Sequence, residues 1–163
     1  MKKIDLVLFC TVLFLPVAVF SSCTSSAPVQ EAAAASFSDV EGKDWFLAEI
    51  RRGGETVRLD REKLEEDGFN GIFTANFQEG GVSGMGAPNR FRGPYTAGSD
   101  GTLNIESPAS TMMAAFREPD ELKEHEYFAY LSSVTRWALR EGRLELSGSD
   151  SDGNEVVLVF VGE

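Results

Sequence analysis

Short apolar segments separated by glycine-containing turns recur from Trp45 onward, and this pattern constrains the fold more than any other feature. Within residues 72–78, Phe73, Ala75 and Phe77 alternate with polar residues, which is typical of a strand with one buried face. Comparable segments occupy residues 45–50, 56–59, 91–96, 103–105, 135–139, 144–146 and 156–161. Because short turns join neighbouring strands in antiparallel fashion, the sequence predicts a mostly antiparallel sheet.

Two helical segments are expected among these strands. Asp60 can cap a short helix that stops at Gly68. The main helix is expected to begin near Pro119, because proline is favoured at the first helical position. Its expected buried face comprises Leu122, Phe128, Leu131 and Val134. The predicted fold class is therefore α+β: a small β-rich domain with a mostly antiparallel, partly barrel-like sheet and one main helix near the C-terminal third.

The first 22 residues have the organisation of an export signal. Lys2 and Lys3 precede an apolar run over residues 6–20 that Pro16 interrupts, and small residues follow it. A basic start, a short apolar stretch and small residues before a cleavage site are typical of a secretory signal peptide. Because the run is shorter than the roughly 20 residues that span a bilayer, we expect removal of residues 1–22.

Cys23 gives this signal a more specific interpretation. Residues 19–23 read VFSSC and resemble a bacterial lipobox, whose cysteine is acylated and becomes the first residue of the mature chain. This resemblance implies lipid attachment at Cys23, a membrane partner through that lipid, and a place in the cell envelope. Thr24 in place of aspartate favours the outer membrane. An ordinary secreted protein with an unpaired thiol is the alternative.

The mature chain is expected to contain a tether and one domain. Residues 23–43 are small, polar and alanine-rich, which indicates an acylated cysteine followed by a flexible spacer. Residues 44–163 have the length of one ordinary domain. Without residues 1–22 the chain has 13 basic and 25 acidic residues, and so acidic a surface disfavours nucleic acid as a partner. One remaining cysteine permits neither an internal disulfide nor a cysteine metal site.

The stretch VSGMGAPNRFRGPY, residues 82–95, begins like a glycine-rich nucleotide loop. A dinucleotide site needs a helix that opens directly after the loop and presents amide groups to phosphate. Pro88 interrupts the motif here, Asn89 stands in place of the third glycine, and the residues that follow read as extended chain. The stretch is therefore interpreted as a glycine corner within the sheet.

The order of these segments resembles the META, or HslJ-like, domain. The resemblance covers nearly all of residues 44–161 and is carried by the glycine corner, the strand after it, the STMMAA segment at residues 110–115, the helix and the terminal strands. Its motif residues, interpreted as structural, are Gly84, Gly86 or Ala87, Asn89, Phe91, Gly93, Tyr95, Thr111 and Met113. Pro88 and Ala115 stand where the family has cysteines, and Met112 where it has a basic residue. The resemblance implies a small mixed domain on exported bacterial proteins, associated with envelope stress or virulence and without a shared catalytic apparatus.

No residue pattern indicates catalysis, a cofactor or a metal. His125 is the only histidine and no recognised ligand spacing accompanies it. Residues 150–155 resemble a calcium loop but lack both key carboxylates of an EF-hand, so a hairpin turn is expected there. Glu106 beside Pro108 is the acid whose position is most notable, and a solvated strand end explains it.

The sequence therefore predicts a non-catalytic envelope lipoprotein that acts by binding an unidentified envelope protein or ligand, or by a structural role. A carrier of a small apolar ligand or peptide is one alternative, and an exposed aromatic groove formed by Phe91, Tyr95 and Tyr127 would suit it. Core packing is the simpler expectation for these three side chains. A hydrolase that uses surface carboxylates is the other alternative, since the chain is rich in acids.

Overall fold

The computed structural model describes residues 35–163. The predicted signal peptide, Cys23 and the first part of the predicted tether lie outside this range. A compact unit extends from Ala34 to Glu163, and it contains all the strands, both helices and the core described below. In the described part of the chain, neither helix is long and apolar enough to cross a membrane.

Ten strands form the sheet. They are β1 (Asp44–Arg52), β2 (Glu55–Arg58), β3 (Thr74–Gln78), β4 (Gly81–Met85), β5 (Arg90–Ala97), β6 (Leu103–Ile105), β7 (Ala109–Ser110), β8 (Arg136–Arg140), β9 (Arg143–Ser149) and β10 (Glu155–Gly162). The main order is β6-β5-β4-β3-β1-β10-β9-β8, with β2 beside β1 and β7 beside β5. Every pairing is antiparallel. The predicted antiparallel architecture is confirmed.

The two ends of this strand order meet, so the sheet forms a nearly closed barrel. A bridge joins Thr102 to Arg136, and backbone hydrogen bonds run from the Leu103 amide to the Thr135 carbonyl and from the Trp137 amide to the Gly101 carbonyl. These contacts are few because β6 is short, and closure is correspondingly incomplete. The partly barrel-like sheet expected from the sequence is confirmed.

Aromatic side chains fill both ends of the barrel. At the first end, the Phe37 ring lies 5.4 Å from Phe77, 5.2 Å from Tyr95 and 4.9 Å from Trp137, measured between ring centroids. At the second end, Tyr127 packs 5.2 Å from Phe73. β3 links the two ends, because Phe73 directly precedes this strand and Phe77 lies within it.

Residues 37–40, which the sequence placed in the tether, belong to the folded unit. Phe37–Asp39 form a short 3₁₀-helix, Val40 is fully buried, and its carbonyl oxygen accepts a hydrogen bond from the indole nitrogen of Trp45 at 2.9 Å. The polar composition of the segment concealed this, since one buried valine and one partly buried phenylalanine are enough to fix it to the barrel.

Two helices accompany the sheet: α1 (Arg61–Glu66) and α2 (Glu124–Ser132). Asp60 caps α1 as predicted, accepting the Lys63 amide at 3.2 Å. The predicted start of the main helix near Pro119 is wrong, because Lys123 is the extended residue before α2 and its amide donates to the Glu126 carboxylate at 3.0 Å. A residue earlier than Lys123 therefore cannot begin the helix.

Candidate functional site

The glycine corner is a tight turn between two strands. β4 ends at Met85, β5 begins at Arg90, and the Gly86 amide donates to the Asn89 carbonyl oxygen across the turn at 2.6 Å. Extended chain follows the glycines, so no helix opens directly after the loop to present its amide groups to a phosphate. The structure agrees with a sheet corner and excludes a dinucleotide loop of the usual kind.

Three glycines of this region are required by close packing. A Cβ atom added to Gly84 would lie 2.0 Å from the carbonyl oxygen of Thr74, and one added to Gly93 would lie 2.8 Å from the carbonyl oxygen of Glu106. A Cβ atom on Gly86 would lie 2.6 Å from a carboxylate oxygen of Glu124. Any side chain at these positions would push the backbone or the Glu124 carboxylate aside.

Asn89 connects the corner to a distant loop through its side-chain amide. The residue is only 6% exposed. Its Oδ1 accepts the Thr111 hydroxyl at 2.8 Å and the Met113 amide at 2.7 Å. Its Nδ2 donates to the Met113 carbonyl oxygen at 3.0 Å and to Glu124 Oε2 at 2.6 Å. Asn89 thus bonds both the amide and the carbonyl group of Met113 and holds this part of the loop against the corner.

Glu124, at the start of α2, completes this network. Its Oε1 accepts the amides of Ala87 and Asn89, each at 2.6 Å. Hydrogen bonds between a carboxylate and backbone amides are stronger than neutral ones, so α2 is held firmly against the corner. Glu124 was not identified as a site residue from the sequence. Residues 89 and 124 are too far apart in the sequence for any motif to predict their contact. The only feature of the sequence that favours Glu124 at its position is the preference for an acidic residue in the first turn of a helix.

The network holds an apolar loop that faces solvent. We define the apolar loop as residues 111–116, which read TMMAAF. Met112 is 98% exposed, Met113 is 61% exposed and Phe116 is 100% exposed. The Thr111 amide also donates to the Arg90 carbonyl at 3.0 Å. Three large apolar side chains exposed within five residues are unusual for a monomer surface and are typical of a contact site.

A wide depression lies beside the apolar loop on the outer wall of the barrel. It has a volume of about 1250 Å³ and runs across β3, β4, β5 and β7. We call it the outer depression. Small residues make up much of its surface, and its polar lining includes Asn76, Gln78, Ser83, Arg90, Arg92 and Ser110.

The structure brings all the motif residues except Tyr95 together in this region. Gly84, Phe91, Gly93 and Thr111 line the outer depression, while Asn89 and Met113 form the network beneath its edge. Tyr95 lies at the opposite end of the barrel, where its hydroxyl donates to Glu41. Burial, followed by this hydrogen bond, raises the pKa of Tyr95 to about 12.

The other candidates from the sequence lie apart from this site. His125 is exposed on α2 and Glu106 is exposed after β6. Asp150 accepts the amides of Asp152 and Asn154 at 2.9 and 2.8 Å, which closes the hairpin turn predicted between β9 and β10. Within residues 35–163, no group of three or more His, Cys, Asp or Glu side chains is placed to hold a metal ion.

The suggested aromatic groove does not exist as an open surface. Phe91, Tyr95 and Tyr127 are all buried in the core, and the Tyr127 hydroxyl donates to the Thr74 carbonyl oxygen at 2.9 Å. Burial raises the pKa of Tyr127. Core packing, the simpler expectation, is what the structure shows for all three.

The far wall of the barrel has a second charged cluster, in which the charges are paired. Glu49 is 7% exposed and lies within 2.6 Å of Arg51, 3.4 Å of Arg58 and 3.9 Å of Arg143. Glu145 pairs with Arg51 at 3.0 Å and Arg140 at 3.5 Å. The hydrogen bond from Arg51, aided by the nearby arginine charges and opposed by burial, lowers the pKa of Glu49.

This pairing predicts an acid-sensitive contribution to stability. A carboxyl group with a lowered pKa in the folded state stabilises the fold above its unfolded pKa, taken as 4.5, and loses that contribution as the pH falls through the folded pKa. We expect Glu49→Gln to flatten the dependence of unfolding free energy on pH below pH 5. Urea unfolding at several pH values measures this, and exposed Glu155→Gln serves as the control. An unchanged slope in Glu49→Gln would contradict the assignment.

Comparison with known proteins gives one family and two similar folds. A family model described as META domain matches residues 38–161. An NMR structure of a protein from Burkholderia xenovorans is similar with a TM-score of 0.58 and 19% identity, covering 84% of this chain and 97% of that one. A DUF4847 family protein from Bacteroides vulgatus is similar with a TM-score of 0.52 and 14% identity, covering 77% and 95%. No curated protein matches the sequence. At these identities the two structures establish the fold alone.

Proposed function

The chain belongs to the META domain family, and from this premise we propose that it is a cell-envelope lipoprotein whose non-catalytic domain binds an envelope protein through the apolar loop. The observation that carries the proposal is the contrast within residues 111–116. The Thr111 hydroxyl and both backbone groups of Met113 are bonded to the buried Asn89 side chain, while Met112 and Phe116 are almost fully exposed. Ordering the loop before binding removes part of the entropy cost of association.

The two alternative functions have less support. A carrier of a small apolar ligand would need an interior cavity, but fully buried side chains such as Phe77, Leu144 and Phe160 occupy the barrel interior. A carboxylate hydrolase would need two acids that face each other across a cleft. Glu49 is paired with arginines instead, and the carboxylate oxygens of Glu124 are occupied by amides.

The positions of the barrel ends are consistent with a membrane-anchored binder. The chain joins the barrel at the end that Phe37 fills, whereas the apolar loop is fixed to α2 at the other end. The apolar loop therefore lies at the end of the barrel opposite to the point where the chain enters it. Acylation holds a chain at a bilayer because each buried CH₂ group contributes about 0.8 kcal/mol.

Anchoring is tested by Cys23→Ser in the producing cell. We expect this variant to lose lipid labelling and to leave the membrane fraction, since nothing else in the proposal attaches the domain to a bilayer. The wild-type chain and an exposed Ser99→Ala variant are the controls. Retention of Cys23→Ser in carbonate-washed membranes would refute the lipid anchor.

Partner binding is tested by a photo-crosslinking amino acid placed at Phe116 in the anchored chain. We expect a discrete crosslinked protein from position 116, and its loss when Met112→Ser is added. The same crosslinker at Val57, another exposed apolar position on a different part of the surface, is the matched control. Because Met112 and Phe116 make little contact with the core, these changes should alter the unfolding free energy by less than about 0.5 kcal/mol. Identical crosslinks from positions 57 and 116 would refute a contact role for the apolar loop.

A further inference from the structure

We propose that the outer depression binds an extended acidic peptide segment through Arg90 and Arg92. This extends the binding role proposed above from the apolar loop to the neighbouring wall, and it adds the chemical class of the ligand. It rests on three features of the described residues: two arginines without partners, a concave surface of small polar residues, and the spacing of the two guanidinium groups along β5.

Arg90 and Arg92 differ from the arginines of the far wall. Both are exposed, and within residues 35–163 neither guanidinium is placed in an ion pair or a hydrogen bond to protein atoms. By contrast, Arg51, Arg58, Arg140 and Arg143 all lie within 4.0 Å of Glu49 or Glu145. In a chain of net charge −11, two neighbouring cations without a carboxylate are positioned to take one from a partner.

The strand register places these arginines over the outer depression. Arg92 is opposite Ser83 on β4 and Ala109 on β7, and Ser83 is opposite Asn76 on β3. Asp44, opposite Asn76 on β1, is the acid in this row. It lies three strands from Arg92, or about 14 Å at the usual strand spacing, and it already accepts the Asn76 amide at 2.9 Å. Glu79, the other acid of the lining, lies in the turn between β3 and β4, at one end of the depression. The two acids therefore lie away from the part of the depression that holds Arg90 and Arg92.

The spacing of the two arginines selects the shape of the ligand. Residues two apart on a strand point to the same face and are about 7 Å apart. An extended peptide repeats its side chains at the same interval, so acidic residues at alternate positions can meet Arg90 and Arg92 together. Arginine binds carboxylates through paired N–H groups, and the hydroxyl and amide groups of Ser83, Ser110 and Gln78 can bond the peptide backbone.

An anionic membrane surface fits these features less well. The arginines lie in a concave wall with few other cations, whereas the domain as a whole carries a large negative charge that an anionic bilayer would repel. A single phosphate ion could pair with both arginines, but it would leave the other polar groups of the outer depression, such as Ser83 and Gln78, without a partner. The outer depression therefore favours a peptide over a bilayer or a free phosphate.

The test uses residues 34–163, which contain the whole sheet and core, and a fluorescein-labelled peptide of alternating glutamate and threonine. At low ionic strength we expect saturable binding by fluorescence anisotropy, weakening as salt rises. The double variant Arg90→Gln/Arg92→Gln should weaken binding by about tenfold or more, as expected for two charge-assisted contacts. Arg58→Gln/Arg140→Gln changes the net charge equally on the far wall and is the matched control that should leave binding unchanged.

Several results would overturn the proposal of a peptide site in the outer depression. Equal weakening by the two double variants would mean that net charge alone governs binding, and no binding of the labelled peptide would remove the site. Competition by phosphatidylglycerol vesicles or inorganic phosphate, with no effect of an unlabelled glutamate-containing peptide, would assign the outer depression to those anions instead. If the domain binds the peptide but position 116 gives no crosslinked protein, the contact role of the apolar loop is wrong and the site in the outer depression stands. If position 116 gives a crosslinked protein but the peptide does not bind, the site in the outer depression is wrong and the contact role of the apolar loop stands.

Discussion

Replacing Asn89 by alanine should lower the unfolding free energy by roughly 3–5 kcal/mol, a large share of the total stability of a domain this size. The change removes four side-chain hydrogen bonds and leaves the amide and carbonyl of Met113 and one oxygen of Glu124 without their partner. Each buried polar group left unsatisfied costs about 1–3 kcal/mol. Urea unfolding followed by tryptophan fluorescence measures the loss, since Trp45 and Trp137 are both in the core.

A second substitution separates the hydrogen bonds of Asn89 from its volume. Asn89→Asp keeps the acceptor oxygen for Thr111 and Met113, but it places a carboxylate where Nδ2 now lies 2.6 Å from Glu124 Oε2. We expect it to destabilise about as much as Asn89→Ala, because two carboxylates at this distance repel each other. Asn104→Ala, at the one exposed position of β6, is the control. A cost below about 1 kcal/mol for both Asn89 variants would contradict the role of Asn89 as the connection between corner and loop.

Replacing Gly84 by alanine should destabilise the domain by about 3 kcal/mol or more, near the upper end of the range for overpacking. The added methyl group would lie 2.0 Å from the Thr74 carbonyl oxygen and 2.7 Å from the Phe91 ring. Neither can move freely, because that carbonyl accepts the buried Tyr127 hydroxyl and Phe91 is itself in the core. The result should appear as a lower urea midpoint with an unchanged slope.

Gly81, on the same strand, supplies the control for Gly84. A Cβ atom there would have its nearest neighbour at 3.5 Å, an ordinary van der Waals distance. Gly81→Ala should therefore change the unfolding free energy by less than about 1 kcal/mol. Similar losses from the two substitutions would mean that strand flexibility, and not the close approach of β4 to β3, explains the glycine at position 84.

Local patterns were sufficient for most of the secondary structure. The alternation over residues 72–78 predicted the buried faces of Phe73, Ala75 and Phe77, and the three are buried. The turn at residues 150–154 followed from its Asp and Gly residues, since such residues favour a hairpin turn in almost any context. These signals lie within a few residues of one another, which is the range over which backbone geometry couples neighbours.

Errors arose where contacts distant in sequence decided the outcome. The main helix was predicted to begin near Pro119, but α2 begins at Glu124. Residues 37–40 were predicted to belong to the tether, but they pack against the barrel. The burial of Tyr130 on α2 was also missed. A helix start and a domain boundary both depend on which surface the segment packs against, and that surface is built from strands far away in the chain.

The sequence alone determined the antiparallel sheet, the glycine corner and the resemblance to the META family, since each depends on residue order and short-range geometry. Only the tertiary structure decided what the corner does. In the folded chain, Asn89 bonds Met113 and Glu124, and Tyr95 lies apart from the other motif residues. The arginines of the far wall are paired with carboxylates, whereas Arg90 and Arg92 have no such partner within the described residues. Such pairings depend on how strands and helix meet across the barrel, because side chains more than twenty residues apart interact only after the chain has folded.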